Sequence, residues 1–251
     1  MKELEQIVAV VTGGTRGIGL GIAKELARQG ATVVMVYAHD DAQAERAAGE
    51  VNELVEGEQP AAKCWKADVT SLTQLELMLS GVHSVHGRVD AVVHAVGASH
   101  WDPVAELDPT LFDRVLARIL YGAFFLTKLS VPVMRGQNFG RLVYVASGAV
   151  TEPRAYPNMA AEAIAKLGLV ALAKAVAVEE AKSGITANVV ATSFTVPEEM
   201  GEEERRQLTS AVPVGREVDP LEVGRAVAFL VSPKSAYITG QVVGVTGGFN
   251  L

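Results

Sequence analysis

The 251-residue chain is 49% hydrophobic and 20% charged, which supplies a packed core and carries no signature of disorder. Its formal net charge of −7, with no Lys/Arg run longer than two, argues against nucleic acid or an anionic membrane as the main partner. Cys64 is the single cysteine, so no intrachain disulfide or Cys-rich metal site is expected. MKELEQIVAV is too acidic for a signal peptide and no uninterrupted apolar run reaches a membrane span, so a soluble cytoplasmic protein with no metal is expected.

Along the chain, short β-branched runs alternate with longer helical patterns. Ile7–Gly14 reads as a buried strand breaking into a glycine turn, and Ile18–Gln29 as a helix that Gly30 ends. Ala31–Ala38 is a second strand and Ala42–Val55 a second helix. Cys64–Ala67 is a short strand ending in Asp68-Val69-Thr70. A helix over Leu72–Val85 leads to a strand over Val89–Gly97. Pro109–Met134 is a long helical region, Arg141–Ser147 a strand, Met159–Ser183 a long helix and Ile185–Thr192 a strand. The charge-dense segment 196–210 reads as a mobile surface loop or short helix beside the substrate. A helix over Pro220–Val231 and a strand over Gln241–Gly248 complete the pattern. Strict alternation with nearly continuous apolar strands predicts an α/β fold: one doubly wound parallel sheet with helices on both faces, spanning 1–251 as one domain.

Thr12–Gly19 (TGGTRGIG) falls between the first strand and the first helix. Glycines there let the backbone approach a pyrophosphate, which the helix N-terminus holds with its N–H groups and dipole. A tight βα turn would explain the glycines alone; the strand–turn–helix context favours a dinucleotide site. Its spacing is Gly-x3-Gly-x-Gly, at Gly13, Gly17 and Gly19.

With these residues the chain resembles the short-chain dehydrogenase/reductase family, most closely its 3-oxoacyl-carrier-protein reductase branch. TGGTRGIG matches the family's TGxxxGIG, Asp68-Val69 its adenine-holding pair, and the run from Val212 to Gly248 its C-terminal ending. The resemblance covers almost the whole chain and implies a Rossmann-type fold. It also implies a nicotinamide cofactor touching Gly13, Thr15, Arg16, Gly17, Ile18, Gly19, His39, Asp68, Val69, Gly97, Lys166 and Thr195. NAD-binding relatives carry an acid at the end of the second strand, which repels a 2′-phosphate. Here that end reads Val36-Tyr37-Ala38-His39, with acids only at Asp40 and Asp41. Arg16 is placed to meet a phosphate and His39 to add a donor, so NADP(H) is expected. A solvated surface arginine is the competing reading of Arg16.

The resemblance implies four roles: a tyrosine that passes the proton, a lysine that lowers its pKa and holds the ribose, a serine on the substrate oxygen, and an asparagine that holds a relay water. Serine falls on Ser147 and lysine on Lys166. The tyrosine position is Glu162, the asparagine position Ile119, and the Asn-Asn-Ala-Gly turn reads His94-Ala95-Val96-Gly97. His94 fits a structural slot below the cofactor. Tyr156, in the loop between Ser147 and Lys166, is a substitute acid; Tyr121 and His94 are weaker ones, and His100 and Trp101 suit either a cleft wall or a surface loop. On spacing alone, Glu162 and Lys166 would be a solvent-facing i,i+4 pair. An ordinary Glu pKa is about 4.3 against about 10 for Tyr, and a lysine cation favours the ionised form. Ionised, Glu162 acts as a base; desolvated, it acts as an acid.

Three functions follow. The first is an NADP(H)-dependent oxidoreductase acting on a ketone, enone or polyketide-like intermediate. The second is a dehydratase, isomerase or cyclase that uses Glu162 as base. The third is a silent subunit of a hetero-oligomeric reductase with an active homologue. A small-molecule substrate and a homo-dimer or homo-tetramer are the expected partners of the first.

Overall fold

Apolar β-branched runs build strands β1 (Val8–Thr12), β2 (Thr32–Tyr37), β3 (Ala62–Lys66), β4 (Ala91–His94), β5 (Gly140–Ser147), β6 (Ile185–Thr192) and β7 (Val242–Val245) in the computed structural model. Residues 2–55, 61–97, 101–150, 157–193, 195 and 200–249 are described. Among them the strands form one seven-stranded sheet, ordered β3-β2-β1-β4-β5-β6-β7, and every pairing is parallel. The order reverses between β1 and β4. At such a switch point the connections leave to opposite sides and open a crevice at the carboxyl ends of the strands.

Alternate residues of each strand feed two apolar layers. On one face Val10, Val92 and Leu142 pack against α3 (Leu72–His86), α5 (Gly122–Gln137) and α6 (Ala160–Glu180). On the other, Val11, Val93 and Val143 pack against α1 (Gly17–Arg28), α2 (Asp41–Asn52) and α8 (Pro220–Val231). Helices α1 and α8 approach closely: a Cβ on Gly21 would lie 2.4 Å from Pro220, and one on Gly224 2.8 Å from the Gly21 carbonyl.

The helical region expected over Pro109–Met134 is three pieces: α4 (Pro109–Leu116), a π-turn at Ala117–Tyr121, and α5. By length and composition Pro109–Gln137 would suffice to cross a membrane, which the reading of uninterrupted apolar runs does not register. Its Val115, Ile119, Ala123, Leu126 and Met134 are instead buried against the sheet. Strand β4 is shorter than expected. Beyond His94 the Val96 carbonyl turns to the Lys166 side chain, whose Nζ donates to it at 3.2 Å, instead of continuing the ladder. Of the segment 196–210, residues 196–199 lie outside the described residues, and Glu202–Ser210 forms helix α7.

Candidate active site

The glycine turn joins β1 to α1 at the switch point. Gly13 has φ +69° and its N–H donates to the Val36 carbonyl at 3.0 Å, which pins the turn to β2. A Cβ on Gly19 would lie 2.0 Å from the Gly13 carbonyl oxygen, so α1 starts against the turn only because this position has no side chain. Arg16 occupies the N-cap in extended backbone and caps nothing with its side chain. Among the described residues no side chain accepts from the first-turn N–H groups of α1, which leaves them open to an anionic phosphate. The residues present fit the pyrophosphate of a dinucleotide. Buried Thr15 accepts from the Gln43 side chain at 2.8 Å through its carbonyl, and half-buried Ile18 packs on the α1-side core.

Charges at the ends of β2 and β3 are balanced in pairs. Arg16 Nη2 lies 3.4 Å from Asp40 Oδ2, both side chains being exposed. Asp40 caps α2 by accepting from the Gln43 N–H at 2.9 Å. Lys66 Nζ donates to Asp41 at 2.9 Å, as does the Tyr37 hydroxyl, and these bonds hold the Asp41 carboxyl below its ordinary pKa. His39 is exposed beside them. Half-buried Asp68 accepts from both the N–H and the hydroxyl of Thr70 at 2.9 and 2.8 Å, and Val69 is buried. This turn directly follows β3, where adenine is expected.

On the other side of the switch point, Ser147 ends β5, half-buried and in register with Thr192 of β6. Glu162 lies half-buried in the first turn of α6, and Lys166 lies one turn on, 5% exposed. The Lys166 ammonium donates to the Val145 carbonyl at 2.8 Å and to that of Val96 at 3.2 Å. Burial pulls its pKa down to about 8, against the opposing influence of the Glu162 charge. The sequence pair is therefore not a solvated i,i+4 pair, because its lysine is buried between two strand ends. Gly97 is exposed, with open space where a Cβ would be, and Thr195 is half-buried just past β6.

Behind Lys166 sits His94, fully buried at the end of β4. Its Nδ1 is 2.9 Å from Thr12 Oγ1 and its Nε2 is 3.0 Å from the Ile119 carbonyl in the π-turn. Burial and then the neighbouring Lys166 cation pull the imidazole pKa down to about 3. The Ile119 side chain is also fully buried, in the core. Tyr121 is exposed in the π-turn and Trp101 is exposed, while Tyr156 and His100 lie outside the described residues.

A family profile described as Enoyl-(Acyl carrier protein) reductase matches residues 13–250. The chain is 33% identical to the 3-oxoacyl-[acyl-carrier-protein] reductase of Vibrio cholerae over 248 residues, 98% of each chain. It is 32% identical to the enzyme of that name from Staphylococcus aureus over 245 residues, and 32% identical to the D-beta-hydroxybutyrate dehydrogenase of Cupriavidus necator over 259. Coverage is 96% of both chains in each case. The protein belongs to the short-chain dehydrogenase/reductase family. The Rossmann-like sheet expected of that family is the sheet observed.

Within this short-chain dehydrogenase/reductase, the fold brings the glycine turn, Asp68-Val69, Gly97, Ser147, Glu162, Lys166 and Thr195 to the carboxyl edge of the sheet. Two features escape a reading of the sequence. One is the contact of His94 with Ile119, two positions that the sequence resemblance singles out separately, which was the available signal. The other is Thr192, whose buried hydroxyl has no hydrogen-bond partner among the described residues.

Proposed function

We propose that this protein is a cytoplasmic NADP(H)-dependent oxidoreductase acting on a small-molecule ketone, enone or polyketide-like intermediate, with an altered proton-transfer apparatus. The observation that carries this reading is the uncapped first turn of α1 behind a glycine turn too tight for any other residue at position 19. Gly13, Gly17 and Gly19 hold the pyrophosphate, Asp68-Val69 the adenine, and Lys166 the nicotinamide ribose. Gly97 and Thr195 border the nicotinamide end. Arg16 exchanges its Asp40 partner for the 2′-phosphate, with His39 adding a donor. The bound cofactor supplies or accepts the hydride.

Ser147 donates a hydrogen bond to the substrate oxygen. An ammonium has three N–H donors. Lys166 uses two on the Val145 and Val96 carbonyls, and the third meets the ribose. Its positive charge lies one helical turn from Glu162, which stands in the place of the family's tyrosine and carries the proton between cleft and substrate. Tyr156 is the substitute acid should Glu162 stay ionised. Calorimetric titration with NADPH and NADP+, followed by single-turnover oxidation of bound NADPH by 3-ketoacyl and enone substrates, tests the proposal. Binding with hydride transfer supports it. Binding without any transfer directs the reading to a dehydratase, isomerase or cyclase that uses Glu162 as base.

Tyr121, Phe124, Ile164 and Leu167 are large apolar side chains left exposed on the π-turn, α5 and α6. This favours association through those helices, as a homo-dimer or homo-tetramer. The same helices would join a silent subunit to an active homologue in a hetero-oligomer. Absence of dinucleotide binding together with co-purification of a second reductase would select that arrangement.

A further inference from the structure

His94 is a buried titratable group with no part in the chemistry proposed above, yet it touches two separate pieces of the site. A carbonyl oxygen only accepts, so the contact with Ile119 requires the proton on Nε2; Nδ1 then accepts from the Thr12 hydroxyl. Both ring nitrogens are satisfied in this single neutral tautomer. Protonation would turn Nδ1 from acceptor to donor, so the Thr12 hydroxyl would have to accept from it and turn its own proton to the Val93 carbonyl at 3.5 Å, with a second positive charge placed next to the Lys166 cation. The depressed pKa of about 3 agrees with that geometry.

The two partners are far apart in sequence and belong to different working parts. Thr12 is the last residue of β1, directly before Gly13, and its carbonyl accepts from the Ala95 N–H at 3.1 Å. Ile119 sits in the π-turn, where the helical repeat is broken and the Gly122 N–H reaches back to the Ala117 carbonyl. Such a turn frees carbonyls from the regular ladder, and a buried carbonyl needs a donor. The ring supplies it. It fits because residue 122 has no side chain: a Cβ there would lie 3.2 Å from His94 Cε1 and 3.1 Å from Val69 Cβ. One turn on, the Tyr144 hydroxyl meets Thr127 Oγ1 at 2.6 Å, and Thr127 donates to the Ala123 carbonyl, so a second buried polar pair anchors the same helix start.

We infer that His94 is a positioning residue: as a neutral bridge from Thr12 to the Ile119 carbonyl it locks the glycine turn and the π-turn into one unit. Neither end then shifts without the other. Dinucleotide affinity depends on a side chain buried beneath the crevice. The consequence for affinity rests on the function proposed above; the mechanical lock does not.

The test uses Thr12→Val, His94→Leu and the double variant, read by amide hydrogen exchange of the unliganded protein and by NADPH calorimetry. Thr12→Val conserves volume and is expected to fold. The lock predicts faster exchange at the Gly122 N–H in Thr12→Val, although Thr12 makes no bond to the π-turn. It also predicts faster exchange at the Gly13 N–H in His94→Leu. NADPH affinity should fall about three- to tenfold in each single variant, as expected for a lost buried hydrogen bond, and the double variant should be no worse than His94→Leu. An unchanged Gly122 rate in Thr12→Val, or additive losses of affinity, would overturn the inference. If His94→Leu does not fold, the Thr12→Val exchange rates decide alone. A wild-type protein that binds no NADPH would remove the proposed function and leave the exchange result to judge the lock.

Discussion

The two sides of the switch point are built from different material. Around β1 and α1 the candidate site is mostly backbone: a carbonyl against Gly19, a Gly13 N–H on β2, and helix N–H groups without a side-chain cap. Around β5 and α6 it is mostly side chains: Ser147, Glu162, Lys166 and, behind them, His94. A backbone site tolerates change at most surrounding positions as long as a few glycines stay. A side-chain site changes its chemistry with one codon. By its resemblance to the family, the chain is expected to keep the glycine motif on the first side and to differ at Glu162, Ile119 and His94 on the second.

The sharpest way to break the backbone side is Gly19→Ala. Its methyl would meet the Gly13 carbonyl at 2.0 Å, so helix and turn must separate. We expect NADPH affinity to fall by at least ~100-fold, equivalent to about 2.7 kcal/mol, by calorimetry. The melting temperature should fall with it.

Lys166→Met breaks the side-chain side and should have the opposite profile. It removes a buried charge, which favours the fold, but leaves the Val145 and Val96 carbonyls without their donor, which disfavours it. Stability in urea should therefore change by no more than about 1 kcal/mol, while dinucleotide affinity falls about tenfold. In the wild type, affinity should decline above pH 8, as Lys166 loses its proton.

His94 gives a pH test of the boundary between the two sides. Its folded pKa of about 3 lies below the ordinary value of 6.5, so between those values the unfolded chain binds more protons than the folded one. The stabilisation is present in full above about pH 6.5 and is lost as pH falls towards 3. Denaturant midpoints measured from pH 7 to 4 should show a slope approaching ~1.4 kcal/mol per pH unit from this group. His94→Asn should flatten it.

The smallest effect is expected at Thr192, next to Ser147 on the neighbouring strand. Its buried hydroxyl has no partner among the described residues, so Thr192→Val should stabilise the unliganded protein by about 1 kcal/mol, measured by urea unfolding.

Much of this was legible in the sequence. Runs such as Val8–Thr12 and Ile185–Thr192 announce buried parallel strands because both faces of the sheet are covered. TGGTRGIG announces its turn because each glycine answers a local steric demand. Element ends were less legible, since they depend on distant partners. Strand β4 stops where Lys166, 70 residues away, takes the Val96 carbonyl. The π-turn within 109–137 was not legible either: its residues are apolar at helical spacing, and what distinguishes it is a carbonyl bonded by His94. Glu162 and Lys166 were found by their spacing to the family motif, but the depth of Lys166 follows from tertiary packing alone.

The contact between α1 and α8 has a consequence in time. The helix that follows the glycine turn starts at residue 17, yet its close-fitting neighbours are Pro220 and Gly224. A chain emerging from the ribosome makes the glycine turn and α1 first and braces them last, after nearly 200 further residues of synthesis. Pairings this distant close slowly. The first βαβ unit must therefore wait with its α8-facing side uncovered, and this interval is where chaperone capture or aggregation would act on the nascent protein.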